Sequence, residues 1–290
     1  MPIVRFHGYH GENIELLDNG TVAHRKSSFA HAVTFSEKPL YPGDIFLLEI
    51  ERNERGWSGY MRLGLTQHDP NFRFPLPQFA LPDLANMHAR RSWIFAVTKT
   101  HNRVWVDADP PQDVSLHDGM NPHYESVLGT GPYVATTRGV IARSMLRPSA
   151  RAPRRPSGDD PHLPDVDSDS SVGSGSSVDV LQRAGGGSVL PTDIGSRIGV
   201  MYIPAGDYAE MHFIINGEDQ GPCATEIPHR EAPLYAVVDV YGTTKQVRIV
   251  QLYGVTSLQS ACREVILQCT SNTDCLPLPS KLKDYLRYQV

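Results

Sequence analysis

A chain of 290 residues, 40% hydrophobic and 20% charged, has the material for one full core and a second small one. Its formal net charge of -5 supplies no basic field, which argues against nucleic acid or an anionic membrane surface as the main partner. The start, "MPIVRFHGYHGENIELL", is polar where a signal peptide needs an apolar run, and no stretch approaches the roughly 20 apolar residues of a membrane span, so a cytoplasmic chain without direct membrane insertion is expected.

From residue 2 to about 146, short apolar, β-branched or aromatic runs alternate with turn residues: "AHAVTFS", "DIFLLEIER", "GYMRLGLT", "SWIFAVTKT" and "RVWVDAD". Several alternate with period two, and Gly-containing dipeptides punctuate them, which predicts strands. No segment here sustains helical periodicity for about twelve residues, so the βαβ grammar of a parallel nucleotide-binding sheet is absent. Beyond Arg147 the chain turns rich in Ser, Pro, Gly and Asp, first basic and then acidic, and cannot bury enough apolar surface to offset its ordering entropy. Residues 148–190 therefore read as a disordered insert. Strands resume in "SRIGVMYIP", "AEMHFIINGEDQG", "PLYAVVDVYG" and "KQVRIVQLYG", where Asn216-Gly217 suits a two-residue hairpin turn. Four strands alone would have a thin core, so both halves are read as one antiparallel β-sandwich, residues 2–254.

The grammar changes at Thr256. In "TSLQSACREVILQC" the apolar positions Leu258, Ala261, Cys262, Val265, Ile266 and Cys269 follow the spacing of an amphipathic helix, and Thr256 with Gln259 suits a capping box. A second helix is expected in "SKLKDYL", with Leu282, Tyr285 and Leu286 on one face and Ser280 as N-cap. Between them stands "LPLP". Pro277 and Pro279 lack amide protons and are expected to hold Leu276 and Leu278 extended, a preorganised apolar edge suited to an interface. Helices this short are marginal alone, so their apolar faces need a partner, either the sandwich or another protein.

Chemistry-bearing patterns are sparse. Of the four cysteines, Cys223, Cys262, Cys269 and Cys275, none forms a Cys-x-x-Cys pair, and no histidine follows Cys262, so no metal site or cofactor is expected. The twelve histidines are scattered, without a His-Glu-x-x-His helix or a Gly-x-Ser-x-Gly elbow, and no catalytic residue is proposed. Candidate protein-contacting residues are Arg55, Trp57 and Tyr60 in and after a Gly-rich turn, Asn102 in "THNR", and Tyr241 in "DVYGTTK", since arginine and aromatics anchor interface centres. The competing account makes Trp57 a core residue beside a tight turn, and the other loops plain structural turns.

"SLQSACREVI" resembles the Elongin BC box of a SOCS box, with Ser257, Leu258, Cys262 and Ile266 filling its pattern, and 276–279 resembles the cullin box that selects Cullin-5. Residues 255–290 are thus similar to a whole SOCS box. Blocks from "FHGYHGENIELLDNG" to "PLYAVVDVYGTTKQVRIVQLYG" resemble a neuralized homology repeat (NHR), a SPRY-like sandwich that recognises protein ligands through loops at one end. The resemblance to the single-repeat, SOCS-box branch of the neuralized family implies a non-catalytic substrate receptor of a multisubunit E3 ubiquitin ligase. On that reading Leu258, Cys262 and Ile266 meet Elongin C, which travels with Elongin B, while Leu276, Pro277, Leu278 and Pro279 meet Cullin-5, whose RING subunit recruits the E2. The same resemblance implies muscle cells and sarcomeric or membrane-proximal substrates. Too few cysteines remain for a RING of the chain's own. The alternatives are an interaction module whose C-terminal helices only close the fold, or a hydrolase or lectin, for which no paired carboxylates or metal ligands are written.

Overall fold

The computed structural model describes residues 3–87, 91–100, 126–137, 139–148, 189–253, 262–263, 265–267, 270 and 273–287. Thirteen strands are formed among them. The first half supplies β1 (Ile14–Leu17), β2 (Val22–Arg25), β3 (Val33–Phe35), β4 (Phe46–Asn53), β5 (Arg62–Thr66), β6 (Ser92–Ala96), β7 (Tyr133–Thr136) and β8 (Gly139–Ala142). The second supplies β9 (Arg197–Ala205), β10 (Tyr208–Ile215), β11 (Glu218–Ile227), β12 (Tyr235–Asp239) and β13 (Thr244–Ile249).

All pairings are antiparallel. A seven-stranded sheet runs β1-β2-β13-β4-β9-β10-β11, and a four-stranded sheet runs β3-β12-β5-β6. Strands from both sides of the insert are therefore interleaved in each sheet: β4 sits between β13 and β9, and β12 between β3 and β5. One interrupted β domain is what the strand grammar predicted.

The alternation of β4 shows how the core is divided. Phe46, Leu48 and Ile50 point between the sheets, meeting Leu63, Leu65, Val238, Val247 and Phe213. Leu47 points the other way, into a second cluster with Leu128, Val134, Ile141, Leu146, Met201 and Ile214, where the β7–β8 hairpin covers the outer face of the large sheet. The outer face of the small sheet is covered too, by Ala80 and Leu84 against Val33, Phe35, Ile94 and Val237. Burial on both faces explains why "FLL" and "YAVVD" read as continuous apolar runs instead of alternating.

Asn216 and Gly217 both have positive φ (51° and 88°), the primed turn their identities predicted between β10 and β11. "RVWVDAD" and residues 149–188 lie outside the described residues. Val189 and Leu190, assigned by the sequence reading to the insert, are held in place: the Val189 carbonyl accepts from Asn216 Nδ2 at 3.0 Å and the Leu190 amide donates to Asp193 at 3.1 Å. Gln251 makes two hydrogen bonds to the backbone of Val4, at 2.9 and 2.8 Å, so the exit from β13 is clamped to the start of the domain.

Candidate functional site

The turns β4–β5 and β12–β13 emerge at one end of the sandwich and clasp each other. The Thr243 amide donates to Gly59 O at 2.8 Å, Thr243 Oγ1 donates to Trp57 O at 2.8 Å, and the Glu54 amide donates to Thr243 O at 2.8 Å. Two glycines allow the approach. A Cβ on Gly242 (φ +58°) would lie 2.4 Å from the carbonyl oxygens of both Ser58 and Gly59, and one on Gly59 would press Tyr241 at 3.0 Å.

The clasp carries an aromatic cluster. Phe29 meets Trp57 edge-on at 4.9 Å and Tyr241 at 4.8 Å, and Phe79 stacks on Phe29 at 6.0 Å. The Trp57 ring is 42% exposed, so it belongs to the surface and not to the core. Its Nε1 donates to Glu54 at 3.2 Å. Arg62 lies over the Tyr241 ring at 3.6 Å and Arg25 near the Trp57 ring at 6.0 Å. Of the sequence candidates, Trp57 and Tyr241 are thus united by Phe29; Arg55 is exposed and Tyr60 half-buried in the same loop region; Asn102 lies outside the described residues.

Beneath the rings lies a charge network that sequence reasoning missed. Arg25 is fully buried and donates to Ser27 O, Glu54 and Gly242 O, tying three loops. Burial lowers its pKa, against the pull of Glu54. Desolvation would raise Glu54, but Lys245, Arg25 and the Trp57 N–H outweigh it and hold the carboxylate below its ordinary range. Asp239, fully buried, accepts at Oδ2 from the Ala80 amide at 3.0 Å and Arg62 at 3.3 Å, while its Oδ1 has no hydrogen-bond partner. Burial pushes its pKa up to about 6 despite the Ala80 amide, Arg62 and Arg25. The available signal was positional: Arg25 continues the inward side of β2 two residues after buried Ala23, where an unpaired cation cannot sit.

The second candidate surface is the C-terminal segment. Cys262, Arg263 and 265–267 are helical; Leu258 lies outside the described residues. At 3.6 residues per turn, Val265 and Ile266 fall on either side of Cys262, with Arg263 roughly a quarter turn away. Cys262 and Val265 are exposed, Val265 by 58%, and Ile266 is half-buried. Arg263 is the inward residue, 7% exposed, with Nη2 donating to Leu286 O at 2.6 Å. Of the apolar stripe inferred from periodicity, Cys262 and Val265 therefore face outward, while Leu258, Ala261 and Cys269 lie outside the described residues.

The tetrad differs from expectation. Leu278 N–H donates to Leu276 O at 2.8 Å, closing a three-residue turn about Pro277 where an extended run was expected. A fixed proline φ suits the central position of such a turn as well as it suits extension. Leu276 and Leu278 are half-buried and Pro277 and Pro279 exposed. The helix Ser280–Arg287 follows, and the Pro279 carbonyl accepts from Lys283 N–H at 3.1 Å, so Pro279, not Ser280, occupies the capping position. On that helix Leu286 is buried and Leu282 46% exposed.

Two family profiles match the chain. The profile described as Neuralized matches residues 6–251, and the one described as SOCS box matches 254–287. The chain belongs to the Neuralized family. It is 42% identical to human Neuralized-like protein 2 over 99% of its own length and 93% of the relative's. Against mouse E3 ubiquitin-protein ligase NEURL3 it is 39% identical over 27% of this chain and 32% of that protein. The crystal structure of the Drosophila melanogaster neuralized NHR1 domain superposes with TM-score 0.51 at 19% identity, covering 87% of this chain and 99% of that one, which shows the shared fold.

In this Neuralized-family chain no group of three or more His, Cys, Asp or Glu among the described residues could hold a metal ion. Cys223 is buried, its thiol donates to Met211 O at 3.1 Å, and burial pushes its pKa far up, which makes it an inert core residue. No helix among the described residues is long and apolar enough to cross a membrane.

Proposed function

We propose that this chain is the substrate-recognition adapter of an Elongin BC/Cullin-5 RING E3 ubiquitin ligase, with no catalytic group of its own. The sandwich holds a client through the Trp57–Tyr241 loop end, and the C-terminal segment holds the ligase machinery. Tethering raises the effective concentration of client lysines near the E2 thioester, and the chemistry belongs to the other chains. The resemblance read from the sequence extends the proposal to muscle cells and to sarcomeric or membrane-proximal clients.

The observation that carries this reading is the orientation of the first C-terminal helix. Helices that only closed the fold would turn their apolar stripe inward. Here Arg263 takes the inward position, bonded to Leu286 O, and leaves Cys262 and Val265 in solvent. Buried Leu286 favours the rival, a module closed by its own helices, but the bond to its carbonyl comes from Arg263, roughly a quarter turn from Cys262.

Capture by purified Elongin B–Elongin C tests the proposal. The wild-type chain should co-elute with the heterodimer, Leu258→Ala and Cys262→Phe should abolish capture, and failure of the wild type rejects the adapter reading. Alanines at 276–279 should spare Elongin capture while weakening Cullin-5 binding.

A further inference from the structure

The loop end that carries Trp57 has cations with nothing to hold. Lys26 follows β2, Arg52 lies near the end of β4, Arg55 is in the next loop, and Lys99 follows β6; all four are exposed, and none makes an ion pair among the described residues. Among the described residues, the acids at this end are already bonded to other groups. Glu54 is shared by Lys245, Arg25 and Trp57; Asp239 is sealed beneath Arg62; Glu12 stands 4.0 Å from His31; and Asp83 accepts from the Phe79 amide at 3.3 Å. Among the described residues, the surface offered to a visitor therefore carries free cations around the exposed Trp57 ring.

The same end is where the chain leaves for residues 149–188 and returns. On the outgoing side, Arg147 packs against Gly217 in the β10–β11 turn and faces Glu218 at 3.6 Å. On the returning side, Val189 O accepts from Asn216, and Thr192 O accepts from Nδ2 of Asn53 at 3.0 Å. Asn53 directly precedes Glu54, whose carboxylate holds the Trp57 indole. Between these roots the sequence places Asp159, Asp160, Asp165, Asp167, Asp169 and Asp179, with no Lys or Arg from 156 to 182.

We propose that the cationic, aromatic loop end is a docking surface for the chain's own acidic run, residues 159–179, which competes there with client proteins. Asp159 lies eleven residues beyond Pro148 and Asp179 ten before Val189. Chains of that length have a root-mean-square span of roughly 16 to 20 Å, and β4 lies two strand spacings from β10, about 10 Å, and β2 with Lys26 four, about 19 Å, so the run reaches the site from either root. Attachment at both ends gives an effective concentration on the order of millimolar, enough for a weak acidic ligand to occupy the surface most of the time. The competition rests on the client-binding reading above; the docking itself does not.

Zero-length carbodiimide crosslinking of the full chain, read by mass spectrometry, tests the docking. Carboxylates of 159–179 should join Lys26 and Lys99 in preference to exposed Lys38, which lies beyond the far end of β3, and the preference should fade at 1 M salt. Even joining to all three lysines overturns the proposal. In a second measurement, a labelled peptide of residues 157–180 is titrated into the wild-type chain and into a chain with all six aspartates changed to Asn. Binding to the neutralised chain should be about tenfold tighter, because no resident segment competes. Adding Lys26→Glu and Arg55→Glu should abolish that binding. Equal affinity for the two chains refutes the inference. Elongin capture reads the other end of the protein, so its failure and this one are told apart.

Discussion

Asp239→Asn isolates a carboxylate that burial makes costly. In the folded chain Asp239 is fully buried with Oδ1 unpartnered, and its pKa stands at about 6, against about 3.9 in an unfolded chain. The folded state then holds this proton more tightly than the unfolded state does. Stability from protonation is complete below about pH 4 and is lost as pH rises through about 6. A difference of about two units corresponds to about 3 kcal/mol, at 1.36 kcal/mol per unit. Asparagine cannot titrate, and Glu54, whose lowered pKa gives the opposite pH trend, is common to both chains. Urea unfolding at pH 4.5, 5.5, 6.5 and 7.5 should therefore show the wild type gaining on Asp239→Asn by about 2 kcal/mol from the top of this range to the bottom. A difference that stays flat, or that shrinks on acidification, would mean that Arg62 holds Asp239 ionised throughout and that the network is an ordinary ion pair.

Trp57→Ala should leave folding nearly intact, at a cost of about 1 kcal/mol in urea unfolding because the ring is 42% exposed, while weakening capture of a crosslinked client by about 2 kcal/mol, roughly thirtyfold. Gly242→Ala forces a Cβ into two carbonyl oxygens at 2.4 Å with φ of +58°, so calorimetry should show at least about 2 kcal/mol of lost stability and a Tm lower by about 5 °C; an unchanged Tm would mean that the clasp opens freely. Leu47→Ala empties a site between the large sheet and the β7–β8 hairpin and should cost about 2 to 5 kcal/mol by urea unfolding, whereas a cost below about 1 kcal/mol would show the hairpin to be a detachable cover.

Strand positions were legible because half-buried and fully buried runs carry apolar signals bounded by glycine turns; "IINGED" gave even the turn. What covers the outer faces was not, because periodicity says that Leu47 and Val237 are buried without saying by what. Among site residues, Trp57 and Tyr241 carried a signal as aromatics beside glycines, whereas Phe29 and Phe79 joined them only through tertiary closure. The direction of the C-terminal stripe was equally hidden. A helical period fixes which residues share a face, and only the position of Arg263 against Leu286 decides that Cys262 and Val265 look outward.

The two covered outer faces also narrow where the β domain can meet a client. Where the β7–β8 hairpin and the Ala80–Leu84 turn cover the sheets, their outer faces are closed to a partner, which favours edges and ends. Three of the four outer edges of the two sheets are poor templates for an added strand: β1 has four residues and β3 three, while β11 carries Pro222, a bulged register against β10, and Glu226 at φ +57°. At the Trp57 end, by contrast, three loops from different strands are fixed to one another by Arg25 and the Gly59–Gly242 clasp, so its rings are presented with little conformational entropy left to lose. A protein whose task is to hold another protein by this domain has its rigid, chemically distinctive surface there, and client contacts mapped to the β11 edge instead would contradict this argument.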